Sequence, residues 1–334
     1  MGNTEKNKLL SLEEVCDFLR DNDNYVILTH ANPDGDTLGS AFGLGMLLAK
    51  MKKKVKVLCP DNIPDKYNYF TTLLEQTENL KNPTIIAVDV ADAKLLGALE
   101  KEYGNKVELC IDHHFSNKCY AANTYLDSNA AANCECIYSI AIALAERVNK
   151  NMALALYTGI STDTGCFRFS NTTAKTLRIA ADLMETGIDT AEINRIMFET
   201  KSRSRIELEK MAIEGMEFYF DDKLAVITIT RDMIESVNAD DADLEGVTSI
   251  SRSVEGVLVG ATIRQKPDGS YKASVRTYPP LDASEICKKL GGGGHIRAAG
   301  CQFDATLTEK MVKEKIIEQV KIALEENCAG TVTY

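Results

Sequence analysis

Between Tyr25 and about Met184 the chain alternates short apolar runs with longer stretches of helical period. Residues 25–29, 55–59, 84–90 and 107–111 have strand length, whereas 37–51, 131–147 and 152–162 read as helices. Ile85-Ile-Ala-Val88 and Val107-Glu-Leu-Cys-Ile111 are mostly apolar without strict alternation, as strands are when helices cover both faces. The pattern predicts an α/β fold built on an N-terminal parallel sheet with helices on both faces.

Past Thr186 the sequence turns helical and charged, with Lys201-Ser-Arg-Ser-Arg205 in its middle. No Gly/Ser/Pro tract occurs there, so 187–216 is expected to be a helical linker between domains 1–186 and 217–334. The second domain is read as a smaller α/β unit with a mixed sheet. Its strands are 224–230, 257–264 and 271–277, the last two joined by a Pro267-Asp268-Gly269 hairpin turn. A short helix at 283–290 leads into four glycines, and Val312, Ile316, Val320 and Leu324 mark one face of a final helix.

Polar residues that can bind metals collect where the apolar runs end. His30, Asp34 and Asp36 follow the first run, Asp89 closes the third, and Asp112-His113-His114 closes the fourth. Asp163 lies where the helix ending near 162 meets a glycine-flanked turn. In a parallel sheet the strand carboxyl ends share one edge, so these loops can converge although far apart in sequence. Only four histidines occur; three sit in these loops and the fourth, His295, follows the glycine run. Oxygen and imidazole donors without cysteine suit a hard or borderline divalent ion, Mn²⁺ first, with Mg²⁺, Co²⁺ or Zn²⁺ as substitutes. The donors exceed one ion's needs, and a pair of ions about 4 Å apart would use them all and clamp a phosphoryl transfer.

Composition narrows the partners. At 334 residues the chain can bury two cores, and a net charge of −11 argues against a basic track gripping long or duplex nucleic acid. A short anionic substrate held by a few basic residues is compatible with that charge. No signal-peptide core or membrane-length apolar run occurs, so a cytoplasmic protein without a membrane partner is expected. The ten cysteines are read as reduced thiols, and Cys134-Glu-Cys136 lacks the spacing of a zinc site. Gly43-Leu-Gly45 lacks the third glycine of a dinucleotide fingerprint, and Asn32-x-Asp34-x-Asp36 lacks the glycine and glutamate of a calcium loop.

Taken together, His30-Ala-Asn-Pro-Asp-Gly-Asp-Thr-Leu-Gly-Ser40, Val88-Asp89, Ile111-Asp-His-His-Phe-Ser-Asn117 and Thr158-Gly-Ile-Ser-Thr-Asp-Thr-Gly165 resemble the motifs of the DHH phosphoesterases. Gly291-Gly-Gly-Gly-His-Ile-Arg-Ala-Ala-Gly-Cys301, with Ser274-Val-Arg276 upstream, resembles the DHH-associated C-terminal domain of that family. The resemblance implies that His30, Asp34 and Asp89 hold one metal and that Asp36, Asp89, His113 and Asp163 hold the other. It further implies that Asp112 steadies His113, that His114 faces the substrate, and that the metals activate a hydroxide. Arg276, Ser274, Gly292, Gly293, Gly294, His295 and Arg297 would bind substrate, the glycines by bringing backbone N–H groups close to a phosphate or base. Two departures bear on substrate fit: Asn133-Cys134-Glu135 where many relatives carry Ser-Thr-x-Glu, and Arg264-Gln265 at a strand end that is often acidic.

The implied activity is that of the compact oligoribonuclease branch: hydrolysis of short oligoribonucleotides such as pApA to mononucleotides, of 3′-phosphoadenosine 5′-phosphate to AMP, or both. Cyclic di-AMP hydrolysis, manganese-dependent pyrophosphate hydrolysis and non-catalytic nucleotide or RNA sensing are the alternatives. A homodimer is one option for an assembly that the sequence leaves open.

Overall fold

The computed structural model describes residues 7–240, 243–244, 246–247 and 250–329. They fall into two compact units that divide between Thr200 and Lys201.

The first unit runs β1 (Lys8–Leu9), α1 (Leu12–Asp21), β2 (Tyr25–Leu28), α2 (Gly35–Lys50), β3 (Val55–Leu58), β4 (Thr84–Val88), α3 (Glu100–Tyr103), β5 (Leu109–Asp112) and β6 (Asn123–Leu126). It continues through α4 (Asn133–Ala143), α5 (Lys150–Asp163), α6 (Ala174–Met184) and α7 (Thr190–Asn194). The six strands are all parallel, in the order β1-β6-β5-β4-β2-β3. Alternate residues feed two cores: Tyr25, Ile27, Ile86, Val88, Leu109 and Ile111 pack with the helices of one face, and Val26, Leu28, Ile85, Ala87 and Cys110 pack on the other. Both faces are apolar, which is why these strands read as continuous hydrophobic runs.

Helix ends follow local chemistry. α1 starts with a capping box in which the Ser11 hydroxyl accepts the Glu14 N–H and the Glu14 carboxylate accepts the Ser11 N–H. α2 begins two residues before the expected 37 because the Asp34 carboxylate caps it, accepting the N–H groups of Asp36 and Thr37. α4 stops at Ala143, short of the expected 147, where Ala145 turns to φ 56°. β1, α1 and β6 lie outside the predicted elements; only Thr124 of β6 is buried, so no apolar run marks it.

The second unit contains α8 (Arg203–Glu214), β7 (Glu217–Tyr219), β8 (Leu224–Ile229), α9 (Arg231–Ser236), β9 (Val259–Gln265), β10 (Tyr271–Thr277), α10 (Ala283–Lys289), β11 (Gly293–His295), β12 (Ala298–Phe303) and α11 (Glu309–Ala329). Its sheet, ordered β11-β12-β10-β9-β8-β7, is mixed: β8 and β9 are parallel and every other pair is antiparallel. One face packs on α10 and on Val312, Ile316 and Val320 of α11, while Ile227 and Ile229 on the other meet Leu208 and Ala212 of α8 and Ile234 of α9. Residues 187–216 thus hold α7, a π turn at Arg195–Glu199 and α8 in place of one helix, and α8 packs in the second core. Part of the glycine run is an edge strand paired with β12. No helix among the described residues is long and apolar enough to cross a membrane.

Candidate metal centre

The sheet's strand order reverses at β2: its chain leaves toward β3, while β4 on its other side leads on to β5 and β6. The loops after β2 and β4 therefore diverge and leave a crevice at their carboxyl ends, the usual ligand position in an open α/β sheet. His30 and Asp89 lie there. Asp89 is 3 % exposed and adopts φ 60°, a left-handed conformation that Asp tolerates better than most residues. Its N–H donates to the Ile111 carbonyl at 2.9 Å, which ties it to β5.

Two imidazoles are held by one device. His30 Nδ1 donates to the Ala31 carbonyl at 2.8 Å, and His113 Nδ1 donates to the Ala130 carbonyl at 3.1 Å. In each ring this leaves Nε2 aimed at carboxylates. His30 Nε2 lies 3.7 Å from Asp34 and 3.6 Å from Asp89; His113 Nε2 lies 3.7 Å from Asp36, 3.6 Å from Asp89 and 3.9 Å from Asp163. Anchoring one ring nitrogen on a backbone carbonyl is how proteins orient histidine ligands. Donor atoms converge in three overlapping groups: His30, Asp34 and Asp89; Asp36, His113 and Asp163; and Asp89, His113 and His114.

Asp36 is fixed by a different helix. Its carboxylate accepts the N–H of Asn133 at 2.6 Å and of Cys134 at 2.9 Å, the first amides of α4, whose own N-cap Ala132 supplies no side-chain acceptor. The Asn133 amide donates to the Ile111 carbonyl at 3.2 Å and accepts from the Ser40 hydroxyl at 3.0 Å, joining α4 to β5 and α2. α2 and α5 approach closely enough that a Cβ on Gly39 would stand 2.5 Å from the Ala155 carbonyl. That closeness brings Asp163, the last residue of α5, to the Asp36 side of the cluster. Asn171 then bridges the Ala131 and Asp163 carbonyls at 3.0 and 3.2 Å.

Asp112 departs from its expected role behind His113. Its carboxylate accepts the His113 backbone N–H at 2.8 Å, but the ring it holds is that of His114, through Nδ1 at 2.8 Å. The reason is that His113 has already given Nδ1 to Ala130. Asn117 completes the arrangement by donating to the other Asp112 oxygen at 2.5 Å. The carboxylate's pKa is lowered: burial pushes it up, but the His114 and Asn117 contacts outweigh burial.

Burial and charge crowding together shift the carboxylates of the centre. Burial, then the neighbouring Asp36 charge, drives the Asp89 pKa well above the carboxylate range, and the same causes push Asp163 up to about 7. Asp36 is raised chiefly by burial. Burial disfavours a charged His30, yet Asp34 and Asp89 outweigh it and hold its pKa up to about 11. Asp34 is lowered, because His30 and the α2 amides overcome the effect of burial. The carboxylates thus favour protons in the cluster, and a divalent cation, carrying twice the charge, would displace them. Within this cluster the buried Asp89 Oδ1 has no hydrogen-bond partner, which leaves it open to a cation. The donor set fits hard divalent cations.

The expected substrate residues lie in the second unit. Ser274 and Arg276 share one face of β10, where Arg276 stands between Gly260 of β9 and Ala298 of β12. Burial and the charge of Arg252 lower the Arg276 pKa, and among the described residues no carboxylate pairs with it. Gly292 is required because a Cβ there would meet the Gly300 carbonyl at 2.2 Å, and Gly294 adopts φ 147°. Gly293 and an exposed His295 form β11. Arg297 donates to the Leu281 carbonyl at 2.5 Å, which braces the start of α10. The sequence reading gave Asn171 and the Asn133 amide no role; Asn133 entered only as a departure from the motif, and Asn117 only as the last residue of the Ile111–Asn117 motif.

Known proteins bear on this geometry. Residues 24–160 match the model of the DHH family N-terminal domain, and 221–325 match the DHHA1 domain. The chain is 30% identical over 305 residues to the bifunctional oligoribonuclease and PAP phosphatase NrnA of Thermus thermophilus, covering 88% of each chain. It is 28% identical to the probable bifunctional oligoribonuclease and PAP phosphatase NrnA of Streptococcus mutans, covering 83% of this chain and 89% of that one. The crystal structure of an exopolyphosphatase-related protein from Bacteroides fragilis superposes with a TM-score of 0.80 at 24% identity, covering 94% of this chain and 95% of that one.

Proposed function

The chain belongs to the DHH family, and from that premise we propose that it is a metal-dependent phosphoesterase acting on short oligoribonucleotides, which it cuts to mononucleotides, and on 3′-phosphoadenosine 5′-phosphate, which it converts to AMP. Similarity to two-activity relatives over most of the chain supports the substrates. The observation that carries the chemistry is the pair of imidazoles, each anchored through Nδ1 on a carbonyl, whose Nε2 atoms face four carboxylates.

In this reading His30, Asp34 and Asp89 hold one divalent ion and Asp36, Asp89, His113 and Asp163 hold a second, with Mn²⁺ the preferred metal. When bound, such a pair supplies an activated water at neutral pH and neutralises charge on the phosphoryl oxygens. Asp89 lies between both histidines and bridges the two sets. The His114 ring, 44% exposed and fixed by Asp112, offers Nε2 to the leaving oxygen as a proton donor. Arg276, flanked by Arg252 and without a carboxylate partner among the described residues, binds a terminal phosphate of the nucleotide, with Ser274, His295 and the glycines around it. Recognition of one terminal nucleotide limits the substrate to short chains. The nine cysteines whose side chains are described are free thiols, in keeping with work in the reducing cytoplasm.

A product-resolved assay with Mn²⁺ tests this reading, comparing pApA, 3′-phosphoadenosine 5′-phosphate, cyclic di-AMP, pyrophosphate and a long single-stranded RNA. The first two should be turned over faster than the rest, and chelator should abolish the activity. Pyrophosphate hydrolysis alone, equal rates on pApA and long RNA, or tight nucleotide binding without turnover would each contradict it.

A further inference from the structure

The turn that follows the metal centre's histidines carries a side chain that folding does not explain. His114 to Asn117 is a β-turn closed by the Asn117 N–H to the His114 carbonyl at 3.0 Å, with Phe115 and Ser116 at its tip. The turn is rigid. Asn117 donates to Asp112, its side-chain oxygen accepts the Cys119 N–H at 2.7 Å, and the Lys118 N–H donates to the Ala91 carbonyl at 2.9 Å. Turn tips favour Gly, Asn, Asp, Ser and Pro, each for its backbone or hydrogen-bonding properties. Here the tip presents a phenylalanine that is 90% exposed, the most exposed large hydrophobic side chain among the described residues.

A single exposed aromatic on a protein surface needs no special explanation. Position separates this one from the others. Phe169, 48% exposed, lies against Gly165 after Asp163, so its ring is used in packing. Phe115 packs in none of the apolar cores. It follows His114 by one Cα step of about 3.8 Å. The His114 Nδ1 is itself 3.4 Å from the Asp89 carboxylate. A nucleotide whose phosphate sits at the carboxylate and histidine cluster must place its base on the rim of that cluster, because the cluster offers only polar and charged groups.

We propose that Phe115 is a stacking platform for the nucleobase next to the scissile phosphate, so that the centre selects nucleotides over base-free phosphoesters. The inference rests on the phosphoesterase reading above and adds a residue that sets its specificity. A ring fixed on a braced turn loses little freedom on stacking, and base–aromatic stacking contributes about 1–3 kcal/mol without choosing among bases.

The chain contains no tryptophan, so Phe115→Trp introduces a single fluorescent reporter at the position in question. With Mg²⁺ present, AMP should quench its emission saturably and ribose 5-phosphate should not. In steady-state assays with Mn²⁺, Phe115→Ala should raise KM for pApA about 5- to 150-fold, the range that stacking of 1–3 kcal/mol implies. The same variant should leave KM for an abasic analogue and Mn²⁺ content unchanged, and Phe115→Trp should keep a wild-type KM for pApA. Equal effects of Phe115→Ala on both substrates, no effect on either, or equal quenching by AMP and ribose 5-phosphate would overturn the proposal. So would a concentration-dependent dimer that Phe115→Ala abolishes, since the ring would then belong to a contact between copies. Absence of pApA turnover by the wild-type protein would refute the phosphoesterase reading alone, because the fluorescence titration still reads stacking.

Discussion

The Asp36 carboxylate on α2 accepts the backbone N–H of Cys134 on α4 at 2.9 Å, so a candidate metal ligand of one helix is also the N-terminal cap of another. The favourable alignment of an anion with a helix N-terminus offsets part of the cost of burying that charge. It also makes the ligand's position depend on how α2, α4 and α5 pack. Metal binding at Asp36 would therefore be coupled to core packing.

Gly159 on α5 tests that coupling. A Cβ there would stand 2.3 Å from Cys134 Sγ and 3.0 Å from Asp36 Oδ1. Gly159→Ala should destabilise the protein by about 1–3 kcal/mol, the usual cost of overpacking, and should weaken Mn²⁺ binding by displacing Asp36. Adding Cys134→Ala removes the nearer obstacle and should recover part of the loss. Thermal melts in EDTA together with Mn²⁺ titrations read both effects; the same loss with and without Cys134→Ala would rule out this origin.

The raised carboxylates fix a sign for the pH dependence. Asp163 titrates at about 7 in the folded protein against 3.8 for an ordinary aspartate, and Asp89 and Asp36 are shifted the same way. Between those limits the folded state binds more protons than the unfolded one, so metal-free stability falls as pH rises through about 7. His30, raised to about 11, acts in the same direction above its ordinary value of 6.5. In EDTA the melting temperature should be higher near pH 5.5 than near pH 8, whereas the gain on adding Mn²⁺ should be larger near pH 8, where fewer protons compete. A metal-free melting temperature that rises across this interval would contradict the electrostatic account.

Arg276 should separate substrate binding from metal binding. Arg276→Ala removes a guanidinium that no carboxylate engages among the described residues. A lost hydrogen bond to a charged group costs roughly 1.5–3 kcal/mol, so KM for pApA should rise about 10- to 150-fold with Mn²⁺ content unchanged. A fall in kcat with an unaltered KM would place Arg276 outside substrate recognition.

Most of the candidate ligand residues were legible because they follow the apolar runs of strands, and parallel strands bring such ends to one edge; Asp163 instead ends the helix α5. His30, Asp89 and His113 could be chosen on that ground alone. What oriented them could not. The partners of His30 and His113 are the carbonyls of Ala31 and Ala130, and those of Asp36 are the amides of Asn133 and Cys134; backbone groups leave no mark in a residue pattern. Asp112, expected behind His113, meets that residue only at its backbone N–H and holds the ring of His114 instead, because the Ala130 carbonyl takes His113 Nδ1. At the level of the fold, β2 and β4 were legible because both faces are buried, and β6 was not because one residue is. The pattern of residues 291–294 predicts close backbone approach, and the approach seen is strand pairing: Gly293 to His295 pairs with β12.

The central claim, a pair of metals joined by Asp89, is tested most directly by the Mn²⁺ stoichiometry of Asp89→Asn. Asparagine keeps the side chain's shape and tolerates the left-handed conformation at φ 60°, so the variant removes charge without adding backbone strain. Equilibrium dialysis with metal analysis should find two tightly held ions in the wild-type protein and neither in Asp89→Asn, with pApA turnover lost in parallel. Two tightly bound ions retained by Asp89→Asn would contradict the bridge.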